Sequence, residues 1–148
     1  YDKLDDNFVV MNGDILHDVN FKTLVDYHIN NTCSVTITTY LKQNKVRLGV
    51  LEVKNQQVLN YTEKPTNEYL VSMGIYVVSK YIVNDFILKN NNMDFPDLIN
   101  ALINKKKSIL SYNHKGLWID LGTTEEYIKV IDSLDNIIKE YPQIPLIV

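Results

Sequence analysis

Glycine is scarce in this chain of 148 residues: Gly13, Gly49, Gly74, Gly116 and Gly122 are all there is, about half the usual share of roughly 7%. No two stand close enough to build a phosphate-cradling loop, so G-x-G-x-x-G and G-x-x-x-x-G-K are both absent. Cysteine is rarer still. The single Cys33 cannot form a disulfide within the chain and fits a reducing, cytoplasmic setting. There is no G-x-S-x-G, H-E-x-x-H or C-x-x-C, and His17, His28 and His114 are too scattered for a local zinc site. Positive charge is not in excess: 15 Lys and Arg against 18 Asp and Glu leave a net charge of −3, which speaks against nucleic acid or an anionic membrane as partner. No apolar run approaches the roughly 20 residues of a membrane span. The opening Tyr1-Asp2-Lys3-Leu4-Asp5-Asp6 is charged where a secretory signal is apolar, and it starts without Met, as expected of a cut or processed product.

What is present is the composition of a packed domain, with 45% apolar and 22% charged residues; one domain spanning 1–148 is the expectation at this length. Phe8-Val9-Val10-Met11 reads as a strand buried on both faces, ending in Asn12-Gly13-Asp14. Phe21, Leu24, Val25, His28 and Ile29 follow helical spacing after a cap at Asp18 or Asn20, and the β-branched run Ser34 to Leu41 completes a βαβ start. Arg47 to Val53 and Gln57 to Thr62 form a hairpin around Lys54-Asn55-Gln56, leading into Glu63-Lys64-Pro65. Leu70 to Val78 is a strand, and Tyr81 to Lys89 and the segment after Pro96 are packed helices. Ser108 to Tyr112 and Leu117 to Thr123 follow. Thr123 with Glu126 then reads as a capping box for a helix carrying Tyr127, Ile131, Leu134 and Ile138. Strands alternating with helices make the class α/β, with a mixed sheet, flanking helices and a β-hairpin.

Among chemistry-bearing residues, Asp14 and Asp120 each follow an apolar run and precede or follow a glycine. Taken alone, each is a turn or cap residue; taken together, two carboxylates at strand ends could hold one hard cation such as Mg²⁺ through oxygen. Glu63 and Lys64 are adjacent in an extended segment, so they should point to opposite faces and not pair. A lysine suits a phosphate and a carboxylate suits sugar hydroxyls, while a solvated loop held by Pro65 accounts for the same residues structurally. Lys105-Lys106-Lys107 ends a helix, where cations favour the dipole. His28 falls on an apolar helical face as a satisfied core histidine. Tyr27, Tyr76 and Trp118 read as core aromatics.

The order of these pieces adds what no single one carries. Phe8 to Asp14, Arg47-Leu48-Gly49-Val50, Tyr61-Thr62-Glu63-Lys64-Pro65, Met73-Gly74-Ile75-Tyr76 and Trp118 to Tyr127, in that sequence, resemble the sugar-phosphate nucleotidyltransferases, or nucleotide-sugar pyrophosphorylases, over roughly residues 6 to 134. The resemblance implies a Rossmann-like domain and a Mg²⁺-dependent transfer. A sugar 1-phosphate attacks the α-phosphorus of a nucleoside triphosphate and releases pyrophosphate. It implies that Asp14 and Asp120 hold the metal, that Glu63 and Lys64 contact the sugar hydroxyls and the sugar phosphate, that Gly49 lies against the sugar, and that Gly74 lines the same pocket. It assigns catalytic roles to Asp14, Asp120 and Lys64.

The same resemblance exposes a departure. The family opens with a strand and a Gly-rich segment that embraces the triphosphate, and nothing before Asn7 can supply it. The expectation is therefore an incomplete domain, the sugar-side portion of a longer catalytic domain, inactive alone. Its sheet edge and face would be uncovered, favouring a homo-oligomer or completion by the missing N-terminal part. The Met11-Asn12-Gly13-Asp14 form is similar to members making guanosine-diphosphate mannose or heptose, with thymidylyl and cytidylyl transfer left open. The alternative is a non-catalytic sugar-phosphate-binding or regulatory module of the same fold. The apolar tail, Tyr141 to Val148, reads as an edge strand or the stub of an extension.

Overall fold

Period-two apolar patterning and helical capping signals resolve, in the computed structural model, into strands and helices over residues 3–87 and 93–142, which are the residues it describes. In chain order these are β1 (Asn7–Met11), β2 (Ile15–His17), α1 (Phe21–Asn30), β3 (Val35–Lys45), β4 (Val50–Lys54), β5 (Gln57–Thr62) and β6 (Thr66–Ser79), followed by a π-helical turn (Val83–Ile87), α2 (Phe95–Asn104), β7 (Ile109–His114), β8 (Trp118–Asp120) and α3 (Thr124–Glu140). The main sheet has the order β1-β6-β3-β7, mixed as expected, with β3 and β7 parallel and β6 antiparallel to both its neighbours. β2 pairs β8, and β4 pairs β5, as separate two-stranded ribbons.

Two corrections concern β1. The expected βαβ start places β1 and β3 side by side; β6 is inserted between them, so the crossover through α1 spans one antiparallel strand. Nor is β1 buried on both faces. Its one partner among the described residues is β6, leaving Val9 36% and Met11 46% exposed, because an apolar run reports affinity for a core and not the number of neighbours that cover it. Among the described residues no strand pairs the outer edge of β1.

The core lies on both faces of the inner sheet. On one face, Val35 and Val78 pack with Ile82, Phe86, Leu98 and Leu102, with Tyr76 and Phe95 against them. α2 is held there by Asp94, whose side chain caps the Asp97 N–H, and by Pro96 in the first turn. Lys105 caps the C-terminus of α2 and its Nζ lies 5.6 Å over the Phe86 ring, while Lys107 lies 5.5 Å over Tyr81, which gives two members of the lysine run structural roles. On the other face, Val19, Leu24, Met73, Ile75 and Val77 pack beneath α1, joined by Tyr40, Tyr112 and Trp118. Asn20, rather than Asp18, caps α1. His28 is the satisfied core histidine expected: Nδ1 meets Thr36 Oγ1 at 2.9 Å, Nε2 meets Ser79 Oγ at 3.0 Å, and the free Cys33 thiol packs 3.3 Å from Nδ1. Burial pushes the His28 pKa down, since an imidazolium would lose its water there.

Other elements depart from expectation in length or class. β3 runs on to Lys45 and β6 begins at Thr66, so the two pair over a longer ribbon than expected. The hairpin closes through Asn55 and Gln56, both left-handed (φ 50° and 67°), which gives the strands the twist of a type I′ connection. The helix expected over Tyr81 to Lys89 is a π-helical turn where described, and residues 88–92 lie outside the described residues, as does the tail from 143 onward. Thr123 caps α3 by accepting from the Glu126 N–H at 3.2 Å. No residue of α3 is buried, and Tyr127, Ile128 and Ile131 are exposed. No helix among the described residues is long and apolar enough to cross a membrane.

Candidate active site

The β2–β8 ribbon is what brings the two aspartates together. β2 starts directly after Asp14 and β8 ends at Asp120, and antiparallel register pairs Ile15 with Asp120, so both carboxylates sit at the same end. The Leu121 N–H donates to the Asp14 carbonyl at 2.8 Å, closing that end. The Gly122 N–H donates to Asp120 Oδ1 at 2.9 Å, fixing that carboxylate in a tight turn. A side chain at Gly122 would begin 3.0 Å from Asp120 Oδ1 and 3.7 Å from Asp14 Oδ2, so one point lies within reach of both oxygens. Both aspartates are exposed.

Gly74 anchors the strand that leads there. It sits at φ +75°, and a Cβ would meet the Asn12 side chain at 2.7 Å, so conformation and space both require glycine. The Asn12 N–H donates to the Gly74 carbonyl at 2.9 Å, fixing where β1 hands over to Asp14. Trp118 Nε1 donates to the neighbouring Met73 carbonyl, tying β8 to the same place on β6.

Gly49, Glu63 and Lys64 form a second cluster, on the β4–β5 hairpin. Tyr61 lies across Gly49 so closely that a Cβ there would collide with the phenol ring. The Tyr61 hydroxyl donates to Glu63 Oε2 at 2.5 Å, a bond that raises the phenol's pKa. Glu63 and Lys64 do pair, Nζ to Oε1 at 3.6 Å, with both side chains more than half exposed. The expectation that they face apart fails because Lys64 is left-handed at φ +46°, which breaks the extended alternation. Gly74 thus stands with the aspartates, whereas Gly49 stands with Glu63 and Lys64.

Beside Asp120 a cleft of about 910 Å³ runs between β3, β8 and α3, lined by Tyr40, Lys42, Trp118, Thr123 and Lys129 among others. Lys129 is held by Glu125 at 3.0 Å and Glu126 at 3.4 Å, and these carboxylates raise its pKa. Behind the ribbon, His114 Nε2 lies 2.7 Å from Asp18 Oδ1 in a largely buried pair, fastening the end of β7 to the end of β2. His17 turns its Nδ1 to the Val19 N–H, and its pKa is lowered by burial first and by His114 second. Asn12, Tyr61, Lys42 and the Asp18–His114 pair were not singled out by sequence reasoning as site residues. For Tyr61 a signal existed: it stands two residues before Glu63, on the same strand face.

Comparison with known proteins bears on the family and the fold. Residues 1–136 match the family model described as nucleotidyl transferase. A protein of Sulfolobus acidocaldarius, named as a proposed mannose-1-phosphate guanyltransferase, is 30% identical over 142 residues, covering 95% of this chain. The glucose-1-phosphate adenylyltransferase of Lachnospira eligens is 29% identical over 139 residues, covering 88%. The chain spans 38% and 33% of these two relatives' lengths. Among solved structures, HddC of Yersinia pseudotuberculosis superposes with a TM-score of 0.61 at 22% identity, over 88% of this chain and 56% of HddC, a likeness that bears on the fold.

Proposed function

Because the chain belongs to the nucleotidyl transferase family, we propose that it forms the sugar-side part of an enzyme transferring a nucleotidyl group from a nucleoside triphosphate to a sugar 1-phosphate. The observation that carries this reading is the convergence of Asp14 and Asp120 on one point beside Gly122. Two exposed carboxylates with one shared point between them fit a hard divalent ion that keeps its other positions for water and substrate phosphate, as Mg²⁺ does. Asp14 and Asp120 are the residues that would hold it, and when bound it supplies positive charge between two phosphate groups that otherwise repel.

The chain's own residues do the rest. Glu63 accepts from sugar hydroxyls, Gly49 offers bare backbone to the sugar, and the Lys64 ammonium balances the incoming phosphate. That phosphate, with a second pKa of about 6, is already largely dianionic at neutral pH and requires no general base. Its oxygen attacks the α-phosphorus in line, the bond to the β-phosphate oxygen breaks, and pyrophosphate leaves. Positioning and charge balance are then the main contributions to rate. The names of the relatives favour guanylyl or adenylyl transfer, and the remainder of the protein completes the nucleotide site.

The test is pyrophosphate release by the full-length protein from nucleoside triphosphates crossed with sugar 1-phosphates, with and without Mg²⁺. Turnover requiring the metal, and falling by at least about 100-fold in Asp14→Asn or Asp120→Asn with an unchanged melting curve, is the expected result. Full activity in either variant refutes the metal assignment. Silence across the panel makes a sugar-phosphate-binding module the better reading.

A further inference from the structure

The ribbon that carries both aspartates is small. β2 and β8 are three residues each and join neither of the other sheets among the described residues, and a two-stranded ribbon alone is only marginally stable in water. What aims Asp14 and Asp120 at one place is therefore how the ribbon is tied to the rest of the molecule. At the end away from the two carboxylates, the tie is Asp18. Its N–H donates to the Leu117 carbonyl at 3.3 Å, and its carboxylate accepts from His114 at 2.7 Å, with the two side chains only 12% and 13% exposed. A carboxylate only accepts, so His114 Nε2 carries the proton. His114 is the last residue of β7 and stands beside Tyr40 of β3 in the main sheet. The β7–β8 loop closes directly over this pair: a Cβ on Gly116 would collide with the Asp18 carboxylate, so the approach requires glycine.

We propose that Asp18 and His114 are a positioning pair for the metal carboxylates, an inference that rests on the reading of Asp14 and Asp120 as ligands. Asp14 and Asp18 bracket β2, and residues an even number apart along a strand project to one side. Fixing Asp18 therefore fixes the rotation of the strand that presents Asp14. The partner strand is fixed by the same residue, because the Leu117 carbonyl that Asp18 bonds leads directly into Trp118, Ile119 and Asp120. The pair acts on both ligands through three residues of strand, about 10 Å, without touching metal or substrate. For stability alone, an apolar pair of similar volume serves as well in so buried a place. What a charge-assisted bond adds is a fixed direction. Gly49, Glu63 and Lys64 belong to a different ribbon, so the pair governs the metal end of the site and not the sugar end.

Mn²⁺ binding to the full-length protein, read by electron paramagnetic resonance, tests this. The double variant Asp18→Ala, His114→Ala leaves no buried charge unpaired and is the one expected to fold; it should bind Mn²⁺ about tenfold more weakly than the parent, with the KM for sugar 1-phosphate unchanged. Either single alanine variant that folds should lose as much as the double, since the two side chains make one bond. Asp18→Asn keeps an acceptor and His114→Gln keeps a donor, so each should recover most of the affinity. A double variant that melts lower yet binds Mn²⁺ as the parent does overturns the inference, as do Asn and Gln variants no better than the alanines. So does a KM for sugar 1-phosphate that rises in step with the loss of Mn²⁺. Asp14→Asn separates this inference from the reading beneath it. If that variant also binds Mn²⁺ like the parent, the metal assignment fails and the positioning role with it; if it alone loses the ion, the assignment stands and the pair is only a structural tie.

Discussion

β3 and β6 each pass through two environments, and the contrast between them organises the molecule. Their inner halves, Val35 to Thr39 and Met73 to Val78, are flanked by β1 and β7 and covered by helices on both faces; Val35, Ile75, Val77 and Val78 are all at 0% exposure. Their outer halves pair only with each other, Leu41 against Leu70 and Lys45 against Thr66, and lead into a hairpin whose strands are exposed throughout. Residue type does not separate the halves, since Leu41, Leu70, Leu51 and Val53 are as apolar as anything inside. What separates them is the number of neighbouring layers. The inner half fixes the fold, and the outer half carries Gly49, Glu63 and Lys64 with little packing to resist movement.

That division predicts where a truncation hurts. Ile75→Ala or Leu102→Ala, at fully buried positions, should cost about 3 to 5 kcal/mol in chemical denaturation. Leu51→Ala should cost under about 0.5 kcal/mol. Equal costs would end the distinction. The two site glycines should divide likewise. Gly74→Ala, with its left-handed backbone against Asn12, should lose about 1 to 3 kcal/mol. Gly49→Ala should push the Tyr61 ring aside and change binding at Glu63 while leaving the melting temperature nearly unchanged, as fluorescence and thermal scans would show. Helix caps sharpen the contrast further. Asp94→Ala at the start of the core-packed α2 should lower global stability by about 1 kcal/mol. Thr123→Ala, ahead of an α3 with no buried residue, should appear only as faster amide exchange in its first turn.

The smallest effect is a slope. His28 is neutral in the fold and its pKa is lowered by burial, so folding binds fewer protons than the unfolded chain does once pH falls below about 6.5. Stability from this group is complete above that pH and declines as acid protonates the unfolded state. Urea titrations between pH 7 and 5 should show the decline, and His28→Gln should flatten part of it. His17, lowered by burial and by His114, contributes in the same direction. An unchanged slope would mean that His28 stays solvated.

Much of this was legible in the sequence where the signal is local. Asn12-Gly13-Asp14 and Asp120-Leu121-Gly122 marked the strand ends that meet, Pro96 marked α2, and Thr123 marked α3, because caps and turns are decided within four residues. The insertion of β6 between β1 and β3 was not legible, since pairing across about 70 residues leaves no trace in the spacing of either strand. The left-handed Lys64 was hidden for another reason. Lysine carries no preference for that region, and the neighbouring Pro65, with its carbonyl bonded to Val46 N–H, helps set the turn. The π-helical turn at Val83–Ile87 likewise satisfies a helical apolar pattern while departing from α geometry.

The phenol of Tyr61 has a consequence for any ligand that comes to Glu63. That carboxylate accepts the phenol on Oε2 alone; Oε1 faces Lys64 Nζ at 3.6 Å on a side chain more than half exposed. A carboxylate oxygen with open lone pairs takes a further donor without giving up the first, so a hydroxyl arriving at Oε1 adds a bond and leaves the ring in place across Gly49. The phenol is then a wall of the hairpin's surface, and what it leaves uncovered beside Glu63 and Lys64 sets the shape that a guest has to match.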